Sequence, residues 1–303
     1  MEEKLVIFDS NSILHRAFHA LPPLSTKKRE RTEAVYGFFL VFFKIIREIK
    51  PKFLCACFDF PAKTFRHKEF KDYKITRPPT PDELKEQIKK TKEALEVFRV
   101  PYFEKEGYEA DDIIATIANK TKGVPKIVVS GDRDLFQIIN QETRIYFLQR
   151  GIKNTLFIDE KKVAEKFGGL LPKQIPDFKA LCGDPSDNIP GAKGIGEKTA
   201  IDLIKKFESL EGIYQNLEKI QPKLREVLIK EKETIFFSRM LVKTKQDVEI
   251  NFNLENCQFG KYQKGEVKKF FETLEFKSLI KRLEEINGGL KNENLKLWQK
   301  KLF

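Results

Sequence analysis

Three apolar stretches rich in strand-forming residues each end in an aspartate, and no other feature narrows the possible folds as much. They are Leu5-Val6-Ile7-Phe8-Asp9, Phe53-Leu54-Cys55-Ala56-Cys57-Phe58-Asp59 and Ile127-Val128-Val129-Ser130-Gly131-Asp132. Segments with helical periodicity lie between them, over residues 32–49, 81–99 and 110–120. Near-continuous apolar strands that alternate with helices predict a mostly parallel α/β sheet covered on both faces. Ligands of such sheets bind beyond the carboxyl ends of the strands. Asp9, Asp59 and Asp132 are therefore expected to gather on one rim.

More carboxylates fall where the chain changes direction. Glu109-Ala110-Asp111-Asp112 opens a helical segment, Asp134 follows Asp132 by two positions, and Gly183-Asp184-Pro185-Ser186-Asp187 reads as a turn. Taken singly, each could cap a helix or offset its dipole. Taken together they would repel one another by several kcal/mol unless cations neutralise them. A carboxylate set without His or Cys partners favours Mg²⁺ or Mn²⁺ over zinc. Two such ions ~4 Å apart can activate a water and stabilise a leaving oxygen on phosphate.

The charge balance points to a polyanionic partner. The chain of 303 residues carries a formal charge of +12, with 41% hydrophobic and 34% charged residues, which suits a soluble globular protein. Residues 61–77 hold six Lys or Arg against two acidic residues, interleaved with Phe65, Phe70 and Tyr73. The longest apolar run, 34–43, falls short of the roughly 20 residues of a membrane span. The N-terminus reads as a strand opening, and the four cysteines lack zinc-site spacing, so a cytoplasmic, reducing location is expected. Cys55 and Cys57 are expected to fill one strand face. His15 and His19 stand four apart on a helical segment, but Arg16 occupies the place of a zincin glutamate, so packing or surface is the better reading. Neither a Gly-x-Ser-x-Gly elbow nor a Walker loop is present.

Several of these motifs together resemble the 5′→3′ exonuclease domain of bacterial DNA polymerase I, in the flap endonuclease superfamily. The likeness runs from Asp9 through His15-Arg16-Ala17-Phe18-His19-Ala20-Leu21, Phe58-Asp59, Thr64-Phe65-Arg66, Tyr73-Lys74, Arg77-Pro78-Pro79, Glu109-Ala110-Asp111-Asp112 and Gly131-Asp132-Arg133-Asp134. It is densest from Gly183 to Ala200, and it covers about residues 4–285. The resemblance implies a PIN-like α/β nuclease core and a structure-specific 5′ nuclease using two Mg²⁺ ions, for which Mn²⁺ would substitute. Asp9, Asp59, Glu109, Asp111, Asp112 and Asp132 resemble ligands of the first metal and its water shell. Asp134, Asp184 and Asp187 resemble those around the second, with Asp132 open to serving both.

By the same resemblance Lys74, Arg77 and Arg16 would steady the scissile phosphate, and Tyr73 would lie beside them with a face able to stack a base. Arg66 would join the DNA contacts. The glycine turn leading into a helix near Glu197 resembles a helix–three-turn–helix element. There Lys193, Gly194, Ile195, Gly196, Lys198 and Thr199 would grip one DNA strand, with K⁺ held by carbonyls of the 191–196 turn.

The expected organisation is a nuclease core over 1–183, an arch inserted at 61–100, a helical DNA-binding region over 184–286 and a flexible tail over 287–303. The family's familiar members continue into proofreading and polymerase domains, for which this chain is too short, so polymerisation would fall to a separate chain. Gln299, Leu302 and Phe303 resemble the Gln-x-x-Leu-Phe peptide that enters the sliding-clamp pocket. Expected work is removal of 5′ flaps and of RNA primers during replication and repair, by a monomer associated with the nucleoid. Two other readings stay open: a PIN-type ribonuclease, and a junction-binding module with an inactive metal site.

Overall fold

The computed structural model describes residues 3–287. Its sheet has six strands: β1 (Leu5–Asp9), β2 (Phe53–Cys57), β3 (Tyr102–Phe103), β4 (Lys126–Ser130), β5 (Thr143–Arg150) and β6 (Asn154–Ile158). They lie in the order β3-β2-β1-β4-β5-β6. All neighbours pair parallel except β5 and β6, which form an antiparallel hairpin. The chain moves from β1 toward β2 and β3 on one side and later returns to β4 and β5 on the other. The crevice of such a sheet lies where the order reverses, beside the carboxyl end of β1.

β1, β2 and β4 are buried at every position, which accounts for their unbroken apolar sequences. Alternate residues divide between two cores, as the two-residue period of a strand requires. Val6, Phe8, Leu54 and Ala56 enter one; Leu5, Ile7, Cys55 and Cys57 enter the other, the cysteines sharing one face.

The first core is covered by helices α1 (Ser10–Ala20) and α2 (Glu33–Ile49). Phe8 packs against Phe38 and Phe42 of α2, with ring centroids 5.7 and 5.6 Å apart. α1 and α2 approach closely at Gly37, where a Cβ would fall 2.5 Å from that of Ala17. The basic segment contains the short α3 (Phe65–Glu69), and α4 (Asp82–Val97) follows. α4 differs from the arch expected over 61–100. Leu84, Ala94 and Leu95 sit in the first core, and Gln87 accepts the Ala34 N–H at 2.7 Å. The excursion is therefore confined to the turns before residue 82. α4 has an apolar stripe, which must be buried against something.

α5 (Ala110–Lys120) lines the second core, and α6 (Glu160–Lys166) closes the α/β part. A third core joins α7 (Ile175–Cys182), α8 (Glu197–Phe207), α9 (Leu210–Gln215), α10 (Pro222–Lys230) and α11 (Lys232–Val242). The helical region thus begins before residue 184. It also does not hold together to residue 286: α12 (Lys264–Thr273) and α13 (Lys277–Asn287) return to the first core through Val267, Phe271, Leu279 and Leu283. Among the described residues no helix is long and apolar enough to cross a membrane. Gln299, Leu302 and Phe303 lie outside the described residues.

Candidate active site

The strands deliver their aspartates to one end of the sheet. Asp9 is the last residue of β1, while Asp59 and Asp132 each stand two positions beyond β2 and β4. Asp9 is fixed by the Ser12 N–H at 3.2 Å and the Ser130 hydroxyl at 2.5 Å. The same hydroxyl accepts the Asp132 N–H at 2.8 Å, and Asp132 accepts the Asp134 N–H at 2.8 Å. Asp59 accepts the Ala110 N–H at 2.7 Å at the start of α5, where free N–H groups favour an anion.

These side chains line a cavity of about 790 Å³ with Glu109, Asp111, Asp134 and Asp184. Asp187 reaches it through an adjoining smaller pocket that Glu109, Asp111 and Asp132 also line. Asp184 and Asp187 come from the turn after α7, so the α/β and helical parts share the site. That turn is closed by paired backbone hydrogen bonds between Asp184 and Ile189, both 2.9 Å. Gly183 and Gly191 hold the ends of the turn together. Gly183 has φ +81°, and a Cβ on Gly191 would fall 2.4 Å from the Gly183 nitrogen.

Cations occupy the same space. Lys74 Nζ donates to Glu109 at 2.6 Å, Arg77 pairs with Asp187, and Lys179 bridges Asp134 and Asp184, the latter at 2.6 Å. Arg16 donates to the Gly131 carbonyl at 2.5 Å, and a Cβ at Gly131 would fall 1.7 Å from its Nε, so a larger residue there would displace the Arg16 side chain.

Neutralisation is uneven. Burial pushes the Asp9 carboxyl up to about 7; Ser130 and Ser12 oppose this, and Asp132 and Asp59 add to it. Burial also holds Asp111 well above the carboxylate range, reinforced by Asp132, Asp9 and Glu109. Asp134 is raised to about 6 by burial and then by Asp132, despite Lys179. Asp59 is raised by the surrounding protein and then by Glu109, but it stands open to solvent, so this push is the most screened. Glu109 and Asp184 go the other way. Burial pushes each up, but Lys74 and Arg66 in the first case and Lys179 in the second outweigh it and hold them below their ordinary values.

Three sequence expectations need correction. Asp112 does not line the cavity. It is fully buried, receives two hydrogen bonds from Arg66 at 2.7 and 2.8 Å, and accepts the Glu109 and Lys245 N–H groups, so its oxygens are spent within the protein. Arg66 is only 2% exposed and also donates to the Leu241 and Lys243 carbonyls, which leaves no fork for DNA phosphate. Tyr73 is 4% exposed, with its hydroxyl on Glu109 and Asp187, and offers no open face to a base.

In the glycine turn, Lys193, Gly194, Gly196 and Lys198 are exposed and Thr199 is half-buried, while the Ile195 side chain belongs to the third core. Sequence reading missed Lys179, Ser130 and Glu197, which lines the cavity at the start of α8. The signal for Lys179 was its place five residues before Asp184; Ser130 immediately precedes Gly131-Asp132.

Among the described residues, no three His, Cys, Asp or Glu side chains close on one point as a ready-made ion cage. The donor set nevertheless suits a hard divalent ion. Oxygen predominates, buried carboxylates remain without enough positive charge, and Mg²⁺ usually keeps several waters that can span to ligands.

A family model of the N-terminal resolvase-like domain of 5′-3′ exonuclease matches residues 4–168, and one of its C-terminal SAM fold matches residues 170–265. The chain belongs to the 5′-3′ exonuclease family. It is 41% identical to the 5′-3′ exonuclease of Aquifex aeolicus, over 93% of this chain and 96% of that protein. It is 42% identical to DNA polymerase I of Caldicellulosiruptor bescii and 40% identical to that of Bacillus subtilis, over 92% and 93% of this chain. It spans only about a third of the length of those polymerases. Solved structures share the fold. The T5 D15 protein co-crystallised with metal ions has a TM-score of 0.65 at 19% identity, covering 94% of this chain and 98% of that one. The catalytic core of Rad2 in complex with DNA substrate has a TM-score of 0.61 at 18% identity, covering 94% and 92%. This family places the fold as a PIN-like nuclease with a helical SAM-like region.

Proposed function

We propose that the chain is a 5′ nuclease that hydrolyses phosphodiesters where a 5′ single strand leaves duplex DNA, leaving a 5′ phosphate and a 3′ hydroxyl. The observation that carries this reading is the convergence of carboxylates from three strand ends, α5 and the 184–187 turn on one cavity also lined by Arg16, Lys74 and Arg77. An acidic hollow in a chain of net charge +12 draws in the DNA backbone while recruiting cations at its centre.

Asp9, Asp59, Glu109, Asp111 and Asp132 would hold one Mg²⁺ or its water shell, and Asp134, Asp184 and Asp187 a second. When bound, the ions would supply an activated water and stabilise the leaving oxygen. Lys74 and Arg77 reach the cavity beside Glu109 and would neutralise charge developing on the phosphoryl oxygens. Arg16, held over Gly131, would fix the neighbouring phosphate. The exposed Lys193 and Lys198 and the backbone of the 193–198 turn would grip duplex phosphates, with K⁺ as a backbone-bound counter-ion. Removal of RNA-primed ends, and entry into a sliding clamp through Gln299, Leu302 and Phe303, complete the proposal.

The test is cleavage of an end-labelled 5′-flap duplex beside blunt duplex and matched RNA, with Mg²⁺ or chelator, by wild type and Asp132→Ala. Flap cutting confined to wild type with Mg²⁺ is expected. Cutting that survives chelation or the substitution would refute the metal mechanism, and preference for the RNA would favour a ribonuclease. Deleting residues 299–303 should abolish clamp binding and spare cleavage.

A further inference from the structure

The basic turn that carries Lys74 and Arg77 is closed locally by the Tyr73, Ile75 and Arg77 N–H groups on the Phe70, Asp72 and Lys74 carbonyls, but the Lys74 N–H takes no part in that local set. Residues 71–76 form successive turns, and Lys74 itself sits at φ +55°, a left-handed conformation that a residue with a Cβ rarely holds without external restraint. The restraint comes from the acidic turn over a hundred residues away. The Lys74 N–H donates to the Asp187 carbonyl at 2.9 Å, and the Asn188 side-chain amide donates to the Asp72 carbonyl at 2.8 Å. Asn188 is also left-handed, at φ +56°, a conformation that asparagine tolerates better than most residues. The rigid 184–189 turn thus presents one backbone acceptor and one side-chain donor to the same short stretch.

We infer that Asn188 is a positioning residue, a latch through which the acidic turn sets the backbone of Asp72–Lys74 and so aims Lys74 into the cavity. Its side chain lines neither the cavity nor the adjoining pocket. Because the latch joins the turn bearing Asp184 and Asp187 to the phosphate-binding cation, movement of one part would carry the other with it. The inference rests on the reading of Lys74 as a phosphate contact.

Two substitutions separate the hydrogen bond from the backbone conformation. Asn188→Asp tolerates the left-handed φ but presents an acceptor to the Asp72 carbonyl; Asn188→Gly removes the strain and the donor together. Both side-chain changes lie at an exposed hydrogen bond, so the fold should persist and Tm should hold. In each variant the Lys74 amide should exchange with deuterium about tenfold faster, and kcat on the flap substrate should fall about tenfold with KM unchanged, as loss of one hydrogen bond implies.

In a Lys74→Ala background Asn188→Asp should cost nothing further, since both changes act through one group. Unchanged exchange at Lys74, or losses that multiply in the double variant, would overturn the latch. Faster exchange in a protein whose Lys74→Ala variant cleaves like wild type would instead sink the phosphate-contact reading and leave the latch standing.

Discussion

Asp9 and Glu109 face the same cavity, yet the protein treats them oppositely. Asp9 lies at the end of a buried strand with two hydroxyl or amide donors and other carboxylates nearby, and its carboxyl is pushed up to about 7. Glu109 lies at the start of α5 within reach of Lys74, Arg66 and Tyr73 and is held below its ordinary range. Asp111 shares the condition of Asp9, and Asp184 that of Glu109. The sheet rim therefore concentrates negative charge without neutralising it, whereas the side facing the helical region brings its own cations. A divalent ion gains most where compensation is missing, so the rim should dominate ion recruitment and the paired side should dominate stability without ions.

The largest effect should come from removing a rim carboxylate. Asp111→Asn should lower Mg²⁺-dependent cleavage about a thousandfold, because several kcal/mol of charge stabilisation depend on the ions. The same change should raise the Tm of the metal-free protein at pH 8, since it removes a carboxyl whose ionised form is disfavoured by burial and then by Asp132, Asp9 and Glu109. A metal-free Tm that falls would show that the rim is compensated by groups other than those named. Asp184→Asn should do the reverse without metal and lower Tm, because Lys179 loses a partner.

Asp112 is the compensated extreme, and Arg66 is what compensates it. Arg66→Ala should destabilise the protein by about 3 kcal/mol, as it strands a buried carboxylate. Arg66→Lys should recover little, because the two parallel hydrogen bonds need a guanidinium fork. Urea unfolding of both variants decides this. Recovery by lysine would reduce the pair to simple charge balance.

This contrast was only half legible in the sequence. The rim was visible because a fully buried parallel strand leaves an unbroken apolar run, and the aspartate that ends it marks the cavity side; Asp9, Asp59 and Asp132 were placed from that alone. The pairing was not visible, because Arg66 reaches Asp112, Leu241 and Lys243 only after three distant segments pack together. An arginine in a basic stretch and an aspartate in an acidic one look like DNA and metal contacts until their burial is known. β5 and β6 escaped notice for a related reason. The hairpin lies at the sheet edge, where exposed or half-buried positions such as Arg144, Gln149 and Arg150 break the apolar pattern. α4 was assigned to an arch because its charged outer face outweighs a thin buried stripe of Leu84, Gln87, Thr91, Ala94 and Leu95.

The smallest expected effect separates the two kinds of carboxylate by pH. Asp9 and Asp134 have folded-state values raised to about 7 and about 6, above those of the unfolded chain. They therefore favour the folded state below about pH 4 and lose that contribution as pH rises toward 7. Glu109 and Asp184 are depressed, so their contribution is present above the ordinary carboxylate range and lost as pH falls through their lowered values. Metal-free protein should accordingly lose Tm between pH 5 and 8, and Mg²⁺ should raise Tm by about 3 °C at pH 8 but much less at pH 5, where protons compete for the rim. Lys179→Met sharpens the comparison by moving Asp184 into the uncompensated class and removing what little compensation Asp134 has: metal-free Tm should drop, and the increment from Mg²⁺ at pH 8 should grow. An equal Mg²⁺ increment at both pH values, or in both proteins, would mean that the ions do not bind where the uncompensated carboxylates lie.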